Sequence, residues 1–302
     1  MANTKYVCTI GFFDGVHLGH QALLSIVRDI QRNNGLNSIV YTFNEVAKLN
    51  YGFITTIEEK VKLLKNFNID KIFVLNFSEI KNLSPSEFFE KYIVKKNIFV
   101  VVSGRDFRFG KQAAADIHLL SKLCKKYKIA SIIIDDYTIS DEHKLYSVSS
   151  SVIRQKILAG DFCLVEKMLG RNYYITGEVV EGRKVGSLIG VPTINVLTDD
   201  SLILPKGVIA GICKIADIEY YSVANFGFRP TVDGRNFLIE IHIINNDFEI
   251  RKIGKVSFRP LRKIRDERKF NTLIELRRQI LKDKKIASNL FNKILRRETY
   301  AN

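Results

Sequence analysis

A change of rhythm partway along the chain constrains the fold more than any other feature. Up to about residue 134, short apolar segments alternate with amphipathic ones. Strands are expected at 7–10, 38–43, 71–77, 98–102 and 130–134, with helices at 19–31, 57–66, 85–94 and 117–127 between them. Strands that are apolar nearly throughout and separated by helices belong to a parallel sheet covered on both faces, so this part predicts an α/β, doubly wound parallel sheet. Two helix starts are marked by capping boxes, Thr56 with Glu59 and Ser84 with Glu87; in the second, Pro85 takes the first helical position, where its missing N–H does no harm. Two short helices follow, 152–158 and 162–169, stopped by Gly160 and Gly170. Beyond them strands are expected at 174–180, 208–215, 220–225, 237–244 and 255–258, with glycine and proline turns and no helices between, which suggests a small antiparallel β-barrel. A closing helix over 272–295 carries Leu273, Leu276, Ile280, Leu290 and Ile294 at helical spacing and is expected to pack on that barrel. Two domains are therefore expected, residues 1–171 and 172–302, each long enough to bury its own core.

Composition narrows the setting. Hydrophobic residues make up 46% of the chain and charged residues 26%, and no apolar run reaches the roughly 20 residues that span a bilayer. Met1-Ala2-Asn3-Thr4-Lys5 leads straight into an apolar strand without the long apolar stretch of a signal peptide, so a cytoplasmic protein with no membrane partner is expected. Cys8, Cys124, Cys163 and Cys213 lie far apart, outside zinc or dithiol spacing, and read as small buried hydrophobes. The formal charge of +15 favours phosphate ligands. The charge also raises nucleic-acid or anionic-membrane binding, but the basic residues are scattered, with clusters at Lys95-Lys96, Lys125-Lys126, Arg262-Lys263 and 282–285 where solvated helix faces or ends are expected, so solvated surface is the stronger reading. Oligomeric state is left open, a homo-oligomer included.

The first chemical site lies between the first strand and the first helix: Gly11-Phe12-Phe13-Asp14-Gly15-Val16-His17-Leu18-Gly19-His20. In a parallel sheet that crevice is where ligands bind. Two histidines at a helix start can face one anion, Gly19 allows close backbone approach, and the unpaired N–H groups of the first turn add positive potential. No serine, cysteine or lysine in this stretch is poised beside a base, so the chemistry expected is direct attack of one phosphate on another, driven by positioning and charge stabilisation. A surface or capping histidine is the plain alternative for either residue alone.

The stretch resembles the His-x-Gly-His signature of the nucleotidyltransferase superfamily, and in its fuller form the bacterial FAD synthetase branch. Two more segments are similar to that branch: Ser103-Gly104-Arg105-Asp106-Phe107-Arg108-Phe109-Gly110, and Ser149-Ser150-Ser151-Val152-Ile153-Arg154. The resemblance implies that His17 and His20 contact ATP phosphates, with Gly11, Phe12, Asp14, Gly15 and Gly19 shaping the nucleotide site. It further implies that Asp106, Phe107 and Arg108 belong to the flavin pocket, while Ser149, Ser150 and Ser151 at a helix N-terminus, with Arg154 in its first turn, make a fitting cradle for the leaving pyrophosphate. Read without it, the serines are helix caps and Asp106 with Arg108 a turn-stabilising pair. Two departures stand out: Asn44-Glu45-Val46 after Thr42-Phe43, where relatives often carry a proline, and Ala115-Asp116 where they carry glycine-aspartate.

The C-terminal part resembles the riboflavin kinase module that accompanies this synthetase. In Gly186-Ser187-Leu188-Ile189-Gly190-Val191-Pro192-Thr193-Ile194-Asn195, an extended backbone projects Thr193 and Asn195 the same way, two oxygen ligands for a Mg2+ ion carrying ATP phosphates, with Gly186 and Gly190 admitting them. A Pro-Thr turn with a capping asparagine is the alternative. Asn225-Phe226-Gly227-Phe228-Arg229-Pro230-Thr231 and Ile239-Glu240-Ile241-His242 resemble two further kinase segments. The resemblance makes Glu240 the general base toward the riboflavin 5′-hydroxyl, His242 a supporting group, and Arg265 and Phe270 neighbours of the flavin. Departures are more numerous here: Ser187 for arginine, Ile209 for tyrosine in Gly207-Val208-Ile209-Ala210, and Glu249-Ile250-Arg251-Lys252 for Tyr-Gly. The expected substrates are riboflavin, FMN and ATP, the ATP as co-substrate with Mg2+, for phosphorylation of riboflavin and adenylylation of FMN to FAD. Adenylyl transfer alone with a degenerate barrel, or an RNA-binding regulator on this scaffold, are the competing readings.

Overall fold

The computed structural model describes residues 4–45, 52–141, 143–182, 190–231, 234–244 and 254–299. The chain folds into two compact units, residues 1–153 with 168–170, and residues 154–167 with 171–302.

The first unit is a five-stranded parallel sheet in the order β3-β2-β1-β4-β5, built from β1 (Tyr6–Ile10), β2 (Asn37–Phe43), β3 (Lys71–Leu75), β4 (Ile98–Gly104) and β5 (Ala130–Ile134). Alternate residues of the central strands feed two cores. Val7, Val40 and Val102 face α1 (Leu18–Asn34) and α2 (Ile57–Lys65) through Leu23, Leu24, Val27 and Leu64. Cys8, Ile10, Ile39, Tyr41 and Val101 face the other way, against Phe88, Phe89 and Tyr92 of α4 (Pro85–Tyr92) and Leu120, Leu123 and Cys124 of α5 (Ile117–Lys126). Both capping boxes form as expected, each contributing about 1 kcal/mol. The strand expected to reach Phe77 ends at Leu75 instead, because Asn76 turns the chain into a short helix, α3 (Phe77–Ile80), and its amide bonds Glu79 at 2.7 Å. A two-stranded hairpin that periodicity did not reveal, β6 (Thr138–Asp141) with β7 (Lys144–Ser147), leads into α6 (Ser150–Ala159).

The second unit is a closed antiparallel barrel in the order β10-β11-β12-β9-β8-β13. Its strands are β8 (Ile175–Val180), β9 (Ile194–Thr198), β10 (Gly207–Ile215), β11 (Ile218–Thr231), β12 (Gly234–Ile243) and β13 (Lys255–Arg265). Ile194, Val196, Ile209, Ala224, Phe226, Ile239 and Ile241 fall on one side of the register and are buried, forming the interior. Ile209 is thus an interior side chain, where an aliphatic group suits the apolar surroundings. β13 runs seven residues past its expected end because Pro260, which cannot donate to a ladder, sits at a register shift opposite Gly211 and leaves the pairing intact on either side. The closing helix, α8 (Leu273–Thr299), packs as expected on Val208, Ala210 and Val223 through Ala287 and Phe291, with Phe291 stacked on Tyr221 at 4.3 Å. Glu166 of α7 (Phe162–Leu169) makes a two-toothed ion pair with Arg259 of β13, both contacts 2.8 Å. Of the four cysteines, Cys163 departs from expectation: it is exposed, because α7 buries Phe162, Leu164, Val165 and Met168 and turns Cys163 outward.

The expected architecture, a doubly wound parallel sheet followed by a small barrel and a C-terminal helix, is the one observed.

Candidate active sites

Strand order in the first sheet reverses between β1 and β4, and two of the segments read as the first site, Gly11 to His20 and Arg105 to Gly110, leave the carboxyl ends of those two strands, where a doubly wound sheet opens its ligand crevice. The turn after β1 is strained and buried. Phe13 sits at φ 54 and Gly15 at φ 75. A left-handed aromatic costs on the order of 1–3 kcal/mol. Here burial of the Phe13 ring, which occupies the space a Cβ at Gly11 would press on, offsets that cost. Asp14 is buried, and its carboxylate accepts the N–H of Ile54 at 2.9 Å and of Thr55 at 3.3 Å, while Gly15 N–H donates to Thr55 Oγ1. Asp14 thus acts on the site by shaping the turn.

His17 is the N-cap of α1, and its Nδ1 accepts the backbone N–H of His20 at 3.4 Å. That bond leaves the proton of a neutral His17 ring on Nε2. The two imidazoles stack at 3.6 Å between centroids, and a Cβ at Gly19 would press on the His17 ring at 3.3 Å, so glycine is what lets the ring lie over the first turn. His20, half-buried, meets the Phe13 ring edge-on at 5.1 Å. Burial first, then His17 and Lys60, hold its pKa well below the ordinary histidine value, so at neutral pH His20 is a neutral imidazole.

The helix read as starting at Val152 begins at Ser150, and the serines divide their work. Ser149 Oγ accepts the N–H of Val152, Ser150 Oγ donates to the Asp14 carbonyl at 2.9 Å, and Ser151 is exposed. Ser150 therefore ties the N-terminus of α6 to the turn after β1. Arg154, half-buried, lies one residue beyond the first unit on that helix.

In the loop after β4, Arg108 pairs with Asp116 at 3.6 Å and not with Asp106; Asp106 is exposed. Asp116 in turn caps α5 through the N–H groups of His118 and Leu119, so the departure at Ala115-Asp116 keeps its carboxylate at work. Phe107 stacks on Phe109 at 5.5 Å and packs on the sheet core. Gly110, at φ 74, could not be replaced without collision with Pro85.

Sequence reading missed Lys60. It is buried on α2, donates to the carbonyls of Phe12 at 3.0 Å and Phe43 at 2.7 Å, and lies 3.9 Å over the Phe12 ring.

In the barrel, register brings together residues read as the second site. Asn225 of β11 pairs with Glu240 of β12, and Glu240 with Asn195 of β9, so the three stand in a row on one face, opposite the face that carries Ile239 and Ile241. Directly opposed residues hold their Cβ atoms about 5 Å apart. Thr193, two residues before Asn195, lies immediately ahead of β9. Asn195 is buried, and a Cβ at Gly182 would collide with its amide. Its Oδ1 has no hydrogen-bond partner among the described residues, an orphaned acceptor that suits a hard cation. His242 donates from Nδ1 to the Pro192 carbonyl at 2.9 Å, and burial lowers its pKa, so a neutral ring braces the Pro192-Thr193 backbone. Gly190 takes φ 70 with open space around it, whereas Gly186, Ser187 and 249–252 lie outside the described residues. Arg265 makes bidentate contact with the buried carboxylate of Asp283 on α8, its Nη2 at 2.8 Å, and Phe270 lies 5.8 Å from its guanidinium.

A turn with stacked histidines at a switch point, followed in the same chain by a barrel with a carboxylate between two amides, fits a two-domain nucleotide-using transferase. Family models described as FAD synthetase and riboflavin kinase match residues 1–151 and 169–291. Bifunctional riboflavin kinase/FMN adenylyltransferases of Bacillus subtilis and Escherichia coli K12 are 33% and 31% identical, covering 96% and 94% of this chain and 94% and 92% of their own. A Streptococcus pneumoniae crystal structure described as a macrolide-efflux protein is 30% identical with a TM-score of 0.79, covering 96% of this chain and 95% of that one. No helix among the described residues is long and apolar enough to cross a membrane. The chain belongs to the bifunctional riboflavin kinase/FMN adenylyltransferase family. It is an enzyme of flavin cofactor biosynthesis with an FAD synthetase region and a riboflavin kinase region, and ATP is its substrate.

Proposed function

We propose that the turn after β1 carries adenylyl transfer and the outer face of β9 and β12 carries the kinase reaction, in the cytoplasm. In the first, a phosphate oxygen of FMN attacks the α-phosphorus of ATP, the bond to the β-phosphate oxygen breaks, and pyrophosphate leaves. His17, donating from Nε2, and neutral His20 stabilise charge on the phosphates, Arg154 and the serines of α6 receive pyrophosphate, and Phe107 and Arg108 border the isoalloxazine. The observation that carries this reading is the His17–His20 stack on the helix N-terminus at the switch point.

In the second, Glu240 takes the proton of the riboflavin 5′-hydroxyl as its oxygen attacks the γ-phosphorus of ATP, and ADP leaves. Thr193 and the orphaned Oδ1 of Asn195 would hold Mg2+, which when bound offsets phosphate charge. Arg265 and Phe270 border the flavin, with Arg265 held in place by Asp283.

The boundary between the activities is proposed at Arg171 and Asn172. A fragment of residues 172–302 should phosphorylate riboflavin, yet it lacks Glu166, so a fragment of 154–302 should unfold at higher denaturant, by about 1–3 kcal/mol. A soluble, folded fragment of either length that binds ATP but makes no FMN would remove the kinase assignment.

A further inference from the structure

We propose that Lys60 is a positioning residue of the adenylyl-transfer site: its buried ammonium pins the carbonyls that follow β1 and end β2, and so holds the 11–14 turn in the shape that presents His17 and His20. The inference rests on the reading of that turn as the phosphate site.

Lys60 is only 2% exposed. Burying an ammonium costs several kcal/mol, and a leucine would serve the packing of α2 at least as well, so its position asks for a function. Its contacts supply one. At the carboxyl end of a parallel sheet, neighbouring strands direct carbonyl oxygens toward the crevice. Here the Phe12 and Phe43 oxygens share one donor, Lys60 Nζ, at 3.0 and 2.7 Å. Phe12 is held at two further points, by Thr42 Oγ1 on the same carbonyl at 2.9 Å and by the cation over its ring at 3.9 Å. The residue that opens the strained turn is thereby fixed to β2 and α2. The charge has a second effect, since it is one of the causes that keep His20 neutral.

The charged and titratable groups facing Lys60 are Asp14 from the turn and His20 from α1, with Glu59 beside it on its own helix. Burial pushes its pKa down to about 8, against an opposing pull from Asp14. The ammonium is therefore present at neutral pH and lost as pH rises through 8, while His20, already neutral, does not titrate there.

The test uses the intact chain and needs no variant for its first arm. The kcat/KM for ATP in FAD formation from FMN should fall roughly eightfold between pH 7.5 and 9 in the unmodified protein. In Lys60→Arg, whose guanidinium stays charged, that fall should disappear; a profile unchanged by the substitution, or flat in the unmodified protein, overturns the proposal. Lys60→Met should lose about thirtyfold or more in the same constant, with FMN formation from riboflavin unchanged, and Lys60→Arg should recover part of the loss. Wild-type FAD formation in Lys60→Met overturns it as well. His20→Ala, run alongside, separates the two ideas. Full FAD formation in that variant defeats the phosphate-site reading itself, whereas loss there with full activity in Lys60→Met defeats only the role of Lys60.

Discussion

The two units build their sites in opposite ways. In the first, the residues proposed for the phosphate contacts fall within ten consecutive positions at one strand–helix turn, and polar groups drawn from elsewhere, buried Lys60 and Thr55 and half-buried Ser150, hold that turn in shape. In the barrel no short stretch holds the site. Asn225, Glu240 and Asn195 come from three strands and meet only because the register aligns them. The lesson is that a turn site fails through loss of its supports, whereas a register site fails through loss of any one member of the row.

His17→Ala or His20→Ala is expected to lower FAD formation by about a hundredfold or more, as removal of a transition-state charge contact does, while FMN formation continues; assays of both products on one preparation check it. In the barrel, Glu240→Gln is predicted to lower FMN formation by about a hundredfold, since glutamine keeps the size but takes no proton. Asn195→Ala should behave differently from Glu240→Gln. Its defect should lie in MgATP binding, about tenfold in KM, and recede at high magnesium and ATP, so rate curves against MgATP tell a ligand from a base. The smallest effect is one of stability. Asp283→Asn leaves Arg265 without its buried counter-charge and should destabilise the barrel unit by about 2–3 kcal/mol in denaturant titration. An unchanged midpoint would leave Arg265 with flavin contact alone.

How much of this could be read from residues alone follows the same division. Strands with two buried faces and helices with capping boxes announce themselves through local pattern, and so does Gly11 to His20, because its chemistry is contiguous. Lys60 was hidden because Ile57-Glu58-Glu59-Lys60 reads as a solvated helix start. The available signal was spacing: Lys60 stands four residues before the buried Leu64, on the stripe that faces the sheet. The row in the barrel was legible only in pieces, Glu240 from its alternation and Asn195 from its extended segment. Asn225 went unchosen because nothing in one strand says which residue of another lies opposite it. The length of β13 was hidden for a related reason, since a bulge that tolerates Pro260 is a property of two strands together. The pairing of Arg108 with Asp116 in place of Asp106 depends on the path of a loop, which sequence proximity does not fix.

The proposed assignment gives the turn after β1 adenylyl transfer and the outer face of β9 and β12 the kinase reaction. The most direct measurement is the distribution of flavins after purified His20→Ala and Glu240→Gln proteins are each incubated with riboflavin, or with FMN, in the presence of ATP and magnesium. The account predicts crossed results: His20→Ala turns riboflavin into FMN and stops there, while Glu240→Gln leaves riboflavin untouched but turns supplied FMN into FAD. Loss of both products in either variant, with the protein still folded, would contradict it.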